Sequence, residues 1–83
     1  MTHAATRDDI ARWLLNADDT RHRWVVIAHD GFSDEDFPVF VNKEFDIHSV
    51  MRDIRANGDR IHEVYNLNLE LAEQLDSPNA WNL

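Results

Sequence analysis

The most chemically suggestive stretch of this sequence is an acidic segment between two apolar runs. Asp30, Asp34, Glu35 and Asp36 fall between "RWVVIAH" and "FPVFV". Carboxylates in such numbers suit Ca²⁺, but "DGFSDEDF" lacks the alternating order and the glycine position of an EF-hand loop. The segment therefore predicts no metal site. Two alternatives stay open: a solvated turn, in which Asp30 beside Gly31 forms an Asx turn, and a recognition loop.

Histidine precedes a carboxylate twice, at His29-Asp30 and at His62-Glu63, and such pairs suit general-base chemistry. Successive strand residues point to opposite faces of a sheet, however, so we expect neither pair to touch. The sequence also has no cysteine, no Gly-rich phosphate loop and no Gly-x-Ser-x-Gly elbow. We therefore predict that the protein is not an enzyme and has no catalytic residue, cofactor or metal ligand.

Most aromatic side chains are expected in the core of so short a chain, with Phe40 and Trp81 as exceptions. Phe40 falls on the second face of an edge strand, and Trp81 lies in a tail that costs entropy to order. The two either pack together within one chain or form an interface, where aromatic residues are enriched. The predicted protein-interaction residues are accordingly Asp34, Glu35, Asp36, Phe40 and Trp81.

The elements that must position these residues follow the order α-β-β-α-β-α. Apolar spacing predicts helix 7–16, strand 23–30, strand 37–41, helix 47–56, strand 60–67 and helix 69–75. Thr6, with Asp9 three residues later, forms a capping box for the first helix. Asp46 and Asn68 are the predicted caps of the other two helices, and Gly58 suits a left-handed helix end.

A helix between the second and third strands lets both run antiparallel to the first, which gives the sheet order 2-1-3. Pro38 cannot donate a ladder hydrogen bond and is therefore expected on an edge strand. Both faces of the first hairpin are apolar. Helices are expected to cover one face. The other face is expected to be covered by the C-terminal tail, to be covered by a partner subunit, or to remain an exposed patch. The fold class is α+β.

Length and charge narrow the function classes. Residues 1–83 make one small domain, in which residues 1–5 are expected to be disordered. Sixteen acidic against eight basic residues give a net charge of −8, which argues against ordinary nucleic-acid binding. No stretch reaches the roughly 18 apolar residues of a membrane span, and the N-terminus lacks the apolar run of a signal peptide. We therefore expect a cytoplasmic protein with no membrane or nucleic-acid partner.

The hairpin resembles a family of small uncharacterised phage, plasmid and bacterial proteins. Its pattern, in which "VV", an Asp and an aromatic precede "ED-[YF]-PV-[YF]-V", falls on residues 24–41. "EVYNL" and "EQL" are similar to the family's third strand and last helix, and "AWNL" to its usual ending. This chain departs from the pattern at Phe37 and Phe40, where tyrosine is common, and at His29, where a small residue or Cys is typical. The resemblance implies one domain and a mobile-element context, without an assigned activity.

These observations together predict a small acidic protein-interaction module that acts by surface complementarity with an unidentified protein partner. The alternative is a homodimeric structural or regulatory protein that self-associates through the apolar second face of the sheet. An anionic mimic of nucleic acid or a metal-dependent enzyme stands third.

Overall fold

The computed structural model describes residues 5–17, 20–76 and 81–83. Its elements are α1 (Arg7–Asn16), β1 (His22–Asp30), β2 (Glu35–Asn42), α2 (Ile47–Ala56), β3 (Arg60–Asn66) and α3 (Leu71–Asp76). The strands form one antiparallel sheet in the order β2-β1-β3, which confirms the predicted α+β fold and strand order. Residues 1–4 of the segment expected to be disordered lie outside the described residues.

The two longer helices begin where side chains satisfy their first backbone amides. Thr6 Oγ1 accepts the Asp9 N–H at 3.1 Å, and the Asp9 carboxylate accepts the Thr6 N–H at 3.0 Å, so the predicted capping box is confirmed. The hydrogen bond from the Thr6 backbone lowers the pKa of Asp9 below its ordinary value. Asp46 caps α2 by accepting the His48 N–H at 3.2 Å. Gly58 follows α2 with a φ of 89°, a conformation that favours glycine.

The third helix begins two residues later than predicted, and Asn68 is not its cap. The Asn68 N–H donates to Asn66 Oδ1 at 2.9 Å, and the Leu69 N–H donates to the Asn66 carbonyl at 3.1 Å. These bonds close a turn directly after β3. The turn uses residues 66–69, and α3 starts after it, at Leu71.

One face of the sheet packs against α2. β1 directs alternate side chains to this face, as its period-two pattern predicts. They meet the apolar stripe that α2 presents at helical spacing. The buried members are Trp24, Val26, Ala28, Val41, Ile47, Met51, Ile54 and Val64. Each fully buried aliphatic side chain contributes about 1.5–3 kcal/mol relative to an exposed one, so this cluster is a main source of stability.

The opposite face packs against α1 and α3 within the same chain. Val25 and Ile27 of β1 and Tyr65 of β3 lie at most 1% exposed, beneath Ile10 and Leu14 of α1. The expectation that helices cover only one face, leaving the other to the tail, a partner or solvent, is therefore wrong. α1, which precedes the sheet, and the short α3, which follows it, both fold back onto the face opposite α2.

The two edges of the sheet differ. β2 is an edge strand, which confirms the position predicted for Pro38. Along β3, Trp81 forms a parallel bridge with Val64, and the Asn82 N–H donates to the Val64 carbonyl at 3.1 Å. Phe40 of β2 and Trp81 thus flank opposite edges of the sheet, so the alternative in which they pack together within one chain is wrong.

Candidate functional site

Three strands bring two imidazoles and a carboxylate together at the end of the sheet that carries the β1–β2 turn. His29 of β1 lies directly opposite Asp36 of β2. On the other side of β1, the register of β3 shifts between its pairs with Ile27 and Ala28, and His62 is the extra residue. Such a bulge redirects side chains, and here the His62 ring reaches the His29 ring, with 5.3 Å between their centroids.

His29, Asp36 and His62 form what we term the His–Asp cluster. Asp36 Oδ1 lies 2.8 Å from His29 Nδ1 and 3.4 Å from His62 Nε2, so one carboxylate oxygen serves both rings. The Asp36 side chain is 9% exposed and that of His29 16%, whereas that of His62 is 44% exposed. The cluster is therefore a partly buried site whose open side is formed by His62.

Two further contacts hold the cluster in place. The Ala5 N–H donates to the second carboxylate oxygen of Asp36 at 2.8 Å, which fixes the carboxylate from the start of α1. His29 Nε2 lies 2.7 Å from Asp34 Oδ1, so the His29 ring is held between two carboxylates. Asp34 adopts a φ of 60°, a left-handed conformation that a short polar side chain tolerates. The contact with Asp36, followed by that with Asp34, raises the pKa of His29 above its ordinary value.

A second polar network lies next to the cluster on the same face. The Arg7 guanidinium of α1 donates to Glu63 at 3.0 Å and to the Tyr65 hydroxyl at 2.6 Å. The Tyr65 hydroxyl in turn donates to Glu63. Burial, reinforced by the hydrogen bond to Glu63, raises the pKa of Tyr65 to about 12. This network ties α1 to β3.

The residues predicted for protein interaction do not form one surface. Asp34 and Asp36 meet at His29, while Glu35 is exposed at the start of β2. Phe40 is 37% exposed on β2, and Trp81 is 42% exposed beside β3. The structure thus separates the predicted set into a cluster component, an exposed acidic residue and two aromatic residues at opposite edges.

The β1–β2 turn presents an aromatic side chain to solvent. Asp30 Oδ1 accepts the Phe32 N–H at 2.8 Å, which confirms the predicted Asx turn. The hydrogen bond from the Phe32 backbone lowers the pKa of Asp30. The Asp34 N–H also donates to the Asp30 carbonyl at 2.9 Å. The Phe32 side chain that this ordered turn carries is fully exposed.

Sequence reasoning missed His29, His62 and Phe32 as site residues. It tested each histidine only against the carboxylate next to it in the chain. Pairing residues across the short turn would have placed His29 opposite Asp36, since an antiparallel hairpin brings such positions face to face. No sequence signal marks the bulge that redirects His62. Phe32 carried a signal, because an aromatic residue inside an acidic turn has no strand or helix face to pack on.

Acidic side chains also line a shallow groove at the start of α2. Its volume is about 390 Å³, and its lining comprises Glu44, Phe45, Asp46, Ser49, Val50 and Asp53. Asp46 is engaged here as the helix cap and also accepts from the Ser49 hydroxyl. The groove lies beyond the far end of β2 from the His–Asp cluster.

Comparison with known proteins gives no significant match to any protein-family model, curated protein or solved structure. Among residues 5–17, 20–76 and 81–83, no helix has the length and apolar character needed to cross a bilayer.

Proposed function

We propose that the protein is a small acidic protein-interaction module that binds a partner through the tip of its β1–β2 hairpin. The observation that carries this proposal is the full exposure of Phe32 on an ordered turn. Aromatic residues are enriched at interfaces because they bury a large area for few rotatable bonds. The Phe32 side chain buries no area within the fold, so its whole apolar area can be buried against a partner.

The order of the turn supports the same function. Three hydrogen-bonded contacts constrain it: the Asx bond at Phe32, the Asp34 backbone bond to Asp30, and the Asp34 contact with His29. A loop that is already ordered loses less conformational entropy on association than a mobile one. The turn therefore already holds Phe32 in one conformation, so ordering the turn adds little to the entropic cost of binding a partner.

The charge around Phe32 defines the chemistry of the partner. Glu35 is exposed beside the turn, and the chain carries a net charge of −8. A basic rim around an apolar pocket complements such a tip, and charge complementarity accelerates encounter at low salt. The resemblance of the hairpin to small phage and plasmid proteins fits a cytoplasmic module of this kind.

Photo-crosslinking at position 32 tests this proposal. A benzophenone amino acid at Phe32 is expected to capture a basic protein from a bacterial lysate, whereas the same group at Leu15, which is 82% exposed on α1, is not. Against the captured partner, Phe32→Ser should weaken binding by about 2 kcal/mol, the size of an interface hot spot. Leu15→Ser is the matched control and should leave the affinity unchanged. Equal effects of the two variants would refute the hairpin tip as the binding surface.

A homodimer is the second candidate, and Phe40 on the edge strand β2 is the observation that favours it. Phe40 remains 37% exposed, although the rest of its face is covered by α1 and α3. Light scattering at micromolar concentration separates the candidates. A stable dimer that Phe40→Ser dissociates would favour self-association, and a monomer would favour the hairpin tip.

A further inference from the structure

We propose that the His–Asp cluster binds one divalent transition-metal ion, with His29 Nδ1, Asp36 Oδ1 and His62 Nε2 as its three protein ligands. This inference shares the Asp34–His29 contact with the interaction proposed for the hairpin tip but uses neither Phe32 nor Glu35, so either proposal can fail without the other. The three ligand atoms lie within 4.8 Å of one another. They come from three different strands, so the sheet itself sets their separation.

One of the three ligand separations matches a tetrahedral zinc ion, and a second comes close to it. Zinc binds imidazole nitrogen and carboxylate oxygen at roughly 2.0–2.2 Å, so neighbouring ligands of a tetrahedron lie roughly 3.3 Å apart. Asp36 Oδ1 and His62 Nε2 are 3.4 Å apart, which meets this requirement directly. His29 Nδ1 is 2.8 Å from the same oxygen and would move outward by roughly 0.5 Å to admit the ion. The side-chain torsions of His29 can supply a shift of this size.

Both ring nitrogens of His29 have carboxylate partners, an arrangement that either a second ring proton or a metal ion satisfies. A neutral imidazole has one N–H, yet both ring nitrogens of His29 face carboxylate oxygens, those of Asp34 and Asp36. If Nε2 donates to Asp34, the lone pair of Nδ1 points at Asp36 and the contact is repulsive. A metal ion between Nδ1 and Asp36 makes both groups ligands and removes the repulsion. A second proton on the ring is the competing solution, and the experiment below separates the two.

The surroundings of the cluster match those of known metal sites. Metal-bound histidines usually donate their other N–H to a carboxylate, and Asp34 occupies that position at His29. The second oxygen of Asp36 is held by the Ala5 N–H, which leaves Oδ1 directed at the rings. His62 is 44% exposed, so an ion can enter from its side and keep water as a fourth ligand.

The donor set selects the class of metal. Two imidazoles and one carboxylate suit Zn²⁺, Co²⁺, Ni²⁺ and Cu²⁺, whereas Ca²⁺ and Mg²⁺ require more oxygen ligands than the cluster offers. Asp34 and Asp36 together carry two negative charges when ionised, which balance a divalent ion. The site is therefore proposed for zinc or a close neighbour of zinc in the first transition series.

Titration of the chelator-treated protein with Co²⁺ and Zn²⁺ tests the proposal. We expect one equivalent of Co²⁺ to give the visible absorbance of a tetrahedral nitrogen–oxygen site, Zn²⁺ to displace it, and Mg²⁺ and Ca²⁺ to have no effect. His62→Gln should lower the Zn²⁺ affinity by more than about tenfold. Asp34→Asn, which keeps all three ligands, should lower it by about 10- to 100-fold, the range for changing a residue that hydrogen-bonds a metal ligand.

His48→Gln is the matched control, because His48 is an exposed histidine on α2 outside the cluster. It should bind Zn²⁺ as the unaltered protein does. Circular dichroism establishes that His62→Gln remains folded, which its exposed position favours. If the protein does not bind one equivalent of Co²⁺ or Zn²⁺ at micromolar concentration, the proposal is overturned. A second proton on the His29 ring then accounts for the contacts of the cluster. Equal losses in His48→Gln and His62→Gln would also overturn it, since they indicate adventitious surface binding.

Discussion

Gln74 of α3 completes the hydrogen bonding at the outer edge of β3. Its Oε1 accepts the Asn66 N–H at 2.7 Å, and its Nε2 donates to the Asn66 carbonyl at 2.9 Å. Gln74 is only 5% exposed and Asn66 only 4%. The side-chain amide therefore acts as a neighbouring strand would, and it anchors a helix of six residues to the sheet.

The cost of removing this amide follows from the groups it leaves behind. Gln74→Ala leaves the buried Asn66 N–H without a partner, which costs about 1–3 kcal/mol. The Asn66 carbonyl loses one of its two hydrogen bonds and still accepts the Leu69 N–H. Water entering the vacated space recovers part of the cost. We therefore expect the free energy of unfolding to fall by about 1–3 kcal/mol, a large fraction of the stability of a small domain.

Gln74→Glu separates the two bonds. A glutamate keeps an oxygen for the Asn66 N–H but places a second oxygen against the Asn66 carbonyl, which is repulsive when the carboxylate is ionised. Folding therefore raises the pKa of the new carboxyl above its unfolded value of about 4.3. The destabilisation should be full at neutral pH and should disappear as the pH falls below that value, because the protonated acid donates to the carbonyl.

Urea unfolding followed by circular dichroism measures both variants. Glu73→Ala is the matched control, since Glu73 is the exposed neighbour of Gln74 on the same helix. It should change the unfolding free energy by less than about 0.5 kcal/mol. A loss below that size in Gln74→Ala, or a Gln74→Glu variant that does not recover in acid, would refute the role assigned to the amide.

Three further perturbations follow from the same contacts. Tyr65 is the only tyrosine, and its tyrosinate absorbance should titrate at about pH 12. Because folding raises the pKa of Tyr65, the stabilisation that the protonated hydroxyl contributes is complete below about pH 10 and is lost as the pH rises through 12. A titration midpoint near pH 10 would refute the argument that burial raises this pKa. Thr6→Ala should lower the thermal unfolding free energy by about 1 kcal/mol, and Thr6→Ser should restore it. Ile27→Ala, at a side chain 1% exposed, should cost about 2–5 kcal/mol in urea, whereas Leu15→Ala at an 82% exposed position should cost almost nothing.

Local signals predicted the elements of this fold well. The capping box at Thr6, the cap at Asp46 and the turn at Gly58 each act over a few residues, so the sequence contains all that they require. Alternation is just as local: successive residues of β1 point to opposite faces, which places Val26 in one cluster and Val25 in the other. The third helix was placed too early because Asn66 accepts the N–H groups of Asn68 and Leu69 and so closes a turn before the helix begins.

The candidate site was predicted only in part, because its contacts join residues far apart in the chain. Asp34 and Asp36 were chosen from their position in the acidic turn. Their partner His29 was tested only against its neighbour Asp30, although the hairpin register sets it opposite Asp36. His62 joins them through a bulge, and the choice of bulge position depends on how β3 pairs with β1.

The sequence by itself determined which segments are helix and strand, because periodicity and capping are properties of neighbouring residues. It also determined the strand order, since a helical crossover constrains how three strands can pair. Only the tertiary structure decided that α1 and α3 cover the second face, and that three strands converge on His29, Asp36 and His62. Those outcomes depend on the relative placement of whole elements, which is settled by packing across the sheet.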